Sequence, residues 1–181
     1  MTTAKAKKAP AKKATAKKSS AKKTTPAAKP TGAQYWLFKS EPFKYSWDDL
    51  KAEGDKGGEW DGVRNYQARN FMRDMKLGDL AFFYHSNEGL EVVGICEVCA
   101  LAHPDTTTDD ERWECVDVRA VCPVPKPVKL ADVKANPKLA DMALVTSMRL
   151  SVQPVKPDEW KEVCRMAGIT SKAIKEAQKN E

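Results

Sequence analysis

The charge of this chain is divided so sharply that its first segment and the rest cannot share one packed core. Met1 to Gln34 contains ten lysines and no acidic residue, about +10 in total. The other 147 residues carry 21 Lys+Arg against 25 Asp+Glu, about −4, so the overall +6 and the basic character belong to the N-terminal arm alone. From Ala6 the arm reads AKKAP, AKKAT, AKKSS, AKKTT. A five-residue period matches neither the helix nor the strand repeat, so no face of it can be buried. High charge without apolar residues leaves chain entropy unopposed, and the arm is expected to be disordered. Pro10, Pro26 and Pro30 argue further against a continuous helix.

An arm of this kind can displace counterions from nucleic acid. Lys7, Lys8, Lys12, Lys13, Lys17, Lys18, Lys22 and Lys23 are its candidate phosphate contacts. Lysine is a point charge with little directional preference, so such contacts add salt-sensitive affinity and almost no sequence information. A solubility tail, or a tether to an acidic partner, is the alternative reading.

No apolar run approaches the ~18 residues of a membrane span, and the lysine-rich start lacks the apolar stretch of a secretory signal. Cys96, Cys99, Cys115, Cys122 and Cys164 are odd in number and lie mostly in apolar surroundings. They suit a reduced, intracellular protein, in the cytoplasm or nucleoid of a bacterium or the nucleus of a eukaryote.

After Gly32 the composition changes. Tyr35 to Phe38 reads as a strand buried on both faces, and Ser46-Trp-Asp-Asp as a capping-box start of a short helix ending near Gly54. A glycine-rich loop containing Trp60 follows. Asn65 is a good N-cap for a helix to about Met75, with Ala68, Met72 and Met75 facing inward. Leu80, Phe82 and Tyr84 alternate, Val92 to Leu101 is apolar, and the even positions from Val116 to Val124 are apolar. Met148, Leu150 and Val152 alternate with Arg149, Ser151 and Gln153, again a strand signature. Pro157 and Gly168 bracket a closing helix around Trp160 and Val163. The expected fold class is α+β: roughly six strands in a compact, partly closed barrel with short peripheral helices. The expected organisation is a basic tail over 1–33, a folded domain over 34–168 and a polar tail with a frayed helix over 169–181.

The sequence offers little for catalysis. Cys96 and Cys99 form an isolated CxxC inside a strand-like run, so core cysteines are a better reading than a zinc site. Ser40, Ser86 and Ser147 lack a glycine elbow, and there is no phosphate-cradling glycine motif. No metal, cofactor or enzymatic activity is expected. Polar and aromatic residues instead gather in four short segments: Lys39-Ser40-Glu41-Pro42; Trp60 with Arg64-Asn65-Tyr66-Gln67 and Arg69; His85-Ser86-Asn87; and Ser147-Met148-Arg149. Each falls at a strand end or helix start. Reading a nucleobase needs a flat π surface plus polar groups along the base edge, and Trp60, Asn65 and Ser40 are of the right types. Arg64, Arg69 and Arg149 could hold flanking phosphates. Equally, Asn65 can serve only as a helix cap, Trp60 only as loop-packing core, and Glu41-Pro42 only as a strand-ending turn.

The words YWLFKSEP from Tyr35, WDGVRNYQARNFMR from Trp60, GDLAFFYHSN from Gly78 and SMRLSVQPV from Ser147 resemble the EVE domain family over about residues 34–168. The resemblance implies a PUA-like mixed β-barrel and a pocket for a flipped, modified base, associated in that family with modified cytosine in DNA. It implies binding without catalysis. It places Lys39, Ser40, Glu41, Trp60, Asn65, Tyr66, Gln67, His85, Ser86, Asn87 and Met148 at the pocket, with Arg64, Arg69 and Arg149 on phosphates. Met148 departs from the family pattern, which favours an arginine or other polar residue there. The arm lies outside the match. The expectation is a monomeric reader of modified bases, in DNA in preference to RNA. An RNA reader, and a nucleoid-packing protein with a passive barrel, are the alternatives.

Overall fold

A computed structural model of the chain describes residues 34–179. The lysine arm, with Lys7 to Lys23 and the expectations attached to them, lies outside the described residues.

The apolar run at the start of the domain becomes β1 (Tyr35–Ser40), with Trp36, Leu37 and Phe38 buried. Its neighbours are β3 (Leu80–His85), which runs parallel to it, and β6 (Val152–Val155), antiparallel. The link from β1 to β3 contains α1 (Trp47–Ala52), the two-residue β2 (Gly58–Glu59) and α2 (Tyr66–Asp74). Ser46 and Asp49 cap α1 reciprocally, as the sequence predicts, and Asn65 Oδ1 caps α2 by accepting from the Gln67 and Ala68 amides. The long strands β4 (Glu91–Pro104) and β5 (Glu114–Lys129) form an antiparallel ribbon. Among the described residues six strands make one sheet in the order β2-β5-β4-β3-β1-β6.

The architecture is mixed α+β, as expected, but the barrel is open: among the described residues, the end strands β2 and β6 do not pair. Helix α2 packs against β6, β5 and β4 instead. Both faces of the sheet are covered. Leu37, Phe82, Tyr84 and Ile95 enter one core, while Trp36, Phe38, Ala81 and Phe83 enter the other. This is why the alternation at Leu80, Phe82 and Tyr84 does not mark a half-exposed strand. Residues 81–84 are buried throughout, with Phe82 under α5 (Pro157–Ala167) and Phe83 against Trp47 of α1. In the first core Trp160 of α5 stacks on Phe82 at 4.0 Å and on Tyr35 at 4.4 Å. Gly168, at φ 71°, closes α5 in the left-handed conformation that glycine adopts without strain. The remaining helices are the short α3 (Leu130–Ala135) and α4 (Ala143–Thr146), and α6 (Ser171–Ala177).

Three expectations need correction. The even-position pattern of β5 breaks at Val121, an extra residue between the pairs Cys96↔Ala120 and Ile95↔Cys122. This bulge turns Val121 into the core and leaves Ala120 and Cys122 half-buried. Residues 148–151 are not strand, because β6 begins only at Val152. Gln153, which the alternation would expose, is buried, and its Nε2 donates at 2.9 Å to the carbonyls of Ser147 and Leu150. A buried amide that satisfies two turn carbonyls is stable where an unpaired one is not. Finally, the segment after Thr170 is not a frayed polar helix: Thr170 Oγ1 caps α6 and Ile174 is buried in the first core.

At Gly94 a Cβ atom would sit 2.4 Å from the Trp47 ring, so α1 packs directly on the β4 backbone there. Gly94→Ala is therefore expected to destabilise the domain by roughly 1–3 kcal/mol through overpacking, read from the midpoint of urea unfolding.

Candidate nucleic-acid site

Parallel pairing sets the carboxyl ends of β1 and β3 side by side, with Ser40 opposite His85. The Ser86 amide donates to the Ser40 carbonyl at 2.8 Å and ties the two strand exits together. Beyond β1 the chain turns on the Glu41 carbonyl, which accepts from the Lys44 and Tyr45 amides. Beyond β3 the turn places Asn87 at φ 65° and Leu90 at φ 50°; for a leucine that conformation is uncommon. The Asn87 side-chain Nδ2 donates to the Glu41 carboxylate, which also pairs with Lys44 at 2.5 Å. A third segment, Ser147 to Ser151, meets them: the Lys39 amide donates to the Ser151 carbonyl and the Lys39 ammonium to the Met148 carbonyl, at 2.9 and 3.0 Å.

These segments and the loop from Gly58 to Arg64 enclose a cleft of about 840 Å³. That lies within the ~300–1,000 Å³ usual for small-ligand sites. Of the residues singled out in the sequence, Lys39, Ser40, Glu41, Trp60, Arg64, Ser86, Asn87, Met148 and Arg149 line it. Trp60 contributes little of its surface, being only 6% exposed. Its ring packs on Phe38 at 4.8 Å and edge-on to Phe83 at 5.4 Å. The Ser40 hydroxyl makes only a long, 3.5 Å contact to the Glu41 carbonyl. Burial lowers the pKa of the Lys39 ammonium below the usual lysine range.

Five of the selected residues lie elsewhere. Asn65 spends its side-chain oxygen on the α2 cap. Gln67 and Arg69 follow on the outer side of that helix, where Arg69 donates to the Arg112 carbonyl at 2.8 Å. Tyr66 stacks on Trp113 at 4.9 Å, outside the cleft. His85 faces away from it: its Nε2 accepts from the Trp47 amide at 3.1 Å, and burial lowers its pKa. Alternation along β3 and its exit sends Tyr84 and Ser86 into the cleft instead.

Sequence reasoning overlooked Lys44, Tyr45, Asp61, Tyr84 and the apolar Leu90, Leu130 and Leu144. The Tyr45 hydroxyl is buried with no hydrogen-bond partner among the described residues. Its pKa is pushed up to about 12, by burial first and then by Glu53 and Asp49. Burial, then Asp105 and Glu59, raises the pKa of Asp61. Strand alternation could have found Tyr84; nothing in local sequence announces Tyr45, which reaches the cleft through the turn after Glu41.

Asp105 shapes one wall from behind. Its buried carboxylate accepts from the Gly62 amide at 3.1 Å, from Arg64 at 2.6 Å and from the Thr107 amide at 2.9 Å. The Arg64 guanidinium lies 5.6 Å from the centre of the Trp113 ring. Burial raises the Asp105 pKa, but the bonds from Thr107, Arg64 and Gly62 outweigh it and hold the value at about 2. A depressed carboxyl pKa adds stability above the unfolded-state value of about 4, and that stability is lost as pH falls through the folded value. Thermal unfolding between pH 5 and pH 2 should therefore show a steep acid loss in the natural chain. Asp105→Asn should be less stable at neutral pH by roughly 1–3 kcal/mol and should show a flatter acid limb.

The family model of the EVE domain matches residues 34–166. Mouse thymocyte nuclear protein 1 is 39% identical over 160 residues, covering 71% of each chain. Among solved structures, a protein of Agrobacterium tumefaciens is 68% identical with a TM-score of 0.76, covering 77% of this chain and 96% of its own. The human THYN1 protein in complex with 5-methylcytosine-containing DNA is 36% identical with a TM-score of 0.71, covering 76% of this chain and 99% of its own.

Proposed function

The chain belongs to the EVE domain family, and from that premise we propose that it is a non-enzymatic reader of modified bases in DNA. The observation that carries this reading is the human relative solved with 5-methylcytosine-containing DNA, whose chain is matched almost from end to end. The PUA-like domain takes one extruded base into the cleft at the exits of β1 and β3. Ser40, Asn87 and Ser86 supply hydroxyl and amide groups for the polar edge, and Leu90 and Leu130 supply apolar surface. Arg149, exposed and without a side-chain ion pair or hydrogen bond among the described residues, is placed for a flanking phosphate. Arg64 is already paired with Asp105, so it contributes to cleft shape more than to phosphate binding.

Extruding a base costs a few kcal/mol, and stacking returns roughly 1–3 kcal/mol per base. Binding through the cleft alone is therefore weak, and a domain of net negative charge gains little from long-range attraction. The lysines of the arm compensate by neutralising phosphates and keeping the domain near the polymer.

Two binding series on the full chain check this division. Ser40→Ala should lower affinity for a 5-methylcytosine oligonucleotide roughly fivefold, the cost of about one hydrogen bond, while the unmodified oligonucleotide changes less and the unfolding midpoint is kept. Equal affinity of the natural chain for modified and unmodified DNA would refute the reader. Glutamine at the eight lysines from Lys7 to Lys23 should instead flatten the dependence of log K on log salt by ~0.7–0.9 per lost phosphate contact, leaving the modified-to-unmodified ratio in place.

A further inference from the structure

Six large apolar or aromatic side chains are well exposed among the described residues, and two of them, Leu90 and Met148, line the cleft. Met148 is 67% exposed, so most of its surface is open to solvent where it borders the cleft. The turn beneath it is held firmly. The Leu150 amide donates to the Ser147 carbonyl at 3.1 Å, and buried Gln153 donates to both the Ser147 and Leu150 carbonyls. Lys39 fixes the Met148 carbonyl itself at 3.0 Å. A fixed backbone with an unbranched, adaptable thioether at its tip is suited to filling a gap of irregular shape.

The surroundings point to the kind of gap. The Lys39 ammonium holds the Met148 carbonyl and the exposed Arg149 follows it in sequence, cations that suit a polyanion better than the apolar face of a protein partner. When a base leaves a duplex, the stack is left with a hole beside the backbone, and apolar side chains inserted between base steps offset the lost stacking. We propose that Met148 is a wedge that enters the duplex stack where the target base has left it, while that base occupies the cleft. This rests on the cleft being the base-binding site. It adds a determinant of strand state, because a single strand presents no such hole.

The test uses the full chain with a DNA duplex carrying one central 5-methylcytosine, and the same modified strand alone. In Met148→Ala the ratio of duplex to single-strand affinity should fall about tenfold, and Met148→Leu, which keeps an apolar tip, should restore most of it. A 2-aminopurine placed next to the target should brighten less on binding Met148→Ala than on binding the natural chain. If Met148→Ala leaves the ratio unaltered while the natural chain still prefers 5-methylcytosine over cytosine in the single strand, the wedge is wrong and the cleft reading stands. If the natural chain prefers neither base in either strand state, both fall.

Discussion

The parallel pairing of β1 with β3 is the constraint on which the rest of the site depends. Antiparallel neighbours would send the KSEP and HSN segments to opposite ends of the sheet. In parallel register they leave the sheet together, and the Ser86–Ser40 backbone bond holds them in contact. A parallel pair needs a long crossover, and here it spans α1, β2 and α2. That crossover also brings Trp60 and the loop from Gly58 to Arg64 over one side of the cleft. The cleft is thus a consequence of topology, and its chemistry comes from what stands at four chain reversals.

Burying both faces of the sheet gives those reversals a rigid base. Trp160 and Phe82 on one side, and Trp60, Phe38 and Phe83 on the other, hold β1 and β3 between two aromatic layers. A polar rim on such a support can present hydrogen-bonding groups without the ordering cost of a mobile loop. Trp60 shows how support and site share residues. It touches the cleft, yet its removal would open a core cavity costing ~3–5 kcal/mol, so its loss would report on folding before recognition.

Much of the fold was legible because local rules decide it. The Ser46 box, the Asn65 cap, Pro157 and Gly168 each mark a helix end where the sequence predicts one. Long-range relations were less accessible. Periodicity gives strands but not their partners, so it could not reveal an open sheet, and the Val121 bulge is invisible until β4 lies beside β5. Site residues divide the same way. Those at strand exits, such as Ser40 and Asn87, line one cleft. Asn65 has the right chemistry, but the helix cap uses it; Tyr66 and Arg69 then lie along a helix leading away from the cleft, and strand alternation turns His85 toward Trp47.

The central claim is that a modified base enters the cleft at the exits of β1 and β3. Backbone amide NMR spectra of the full chain, recorded as a 5-methylcytosine DNA oligonucleotide is added, test it directly. The account predicts the largest shifts at Ser40, Ser86, Asn87 and residues 148–151, and weaker ones with unmodified DNA. Shifts confined to the lysine arm, or identical for the two oligonucleotides, would contradict it.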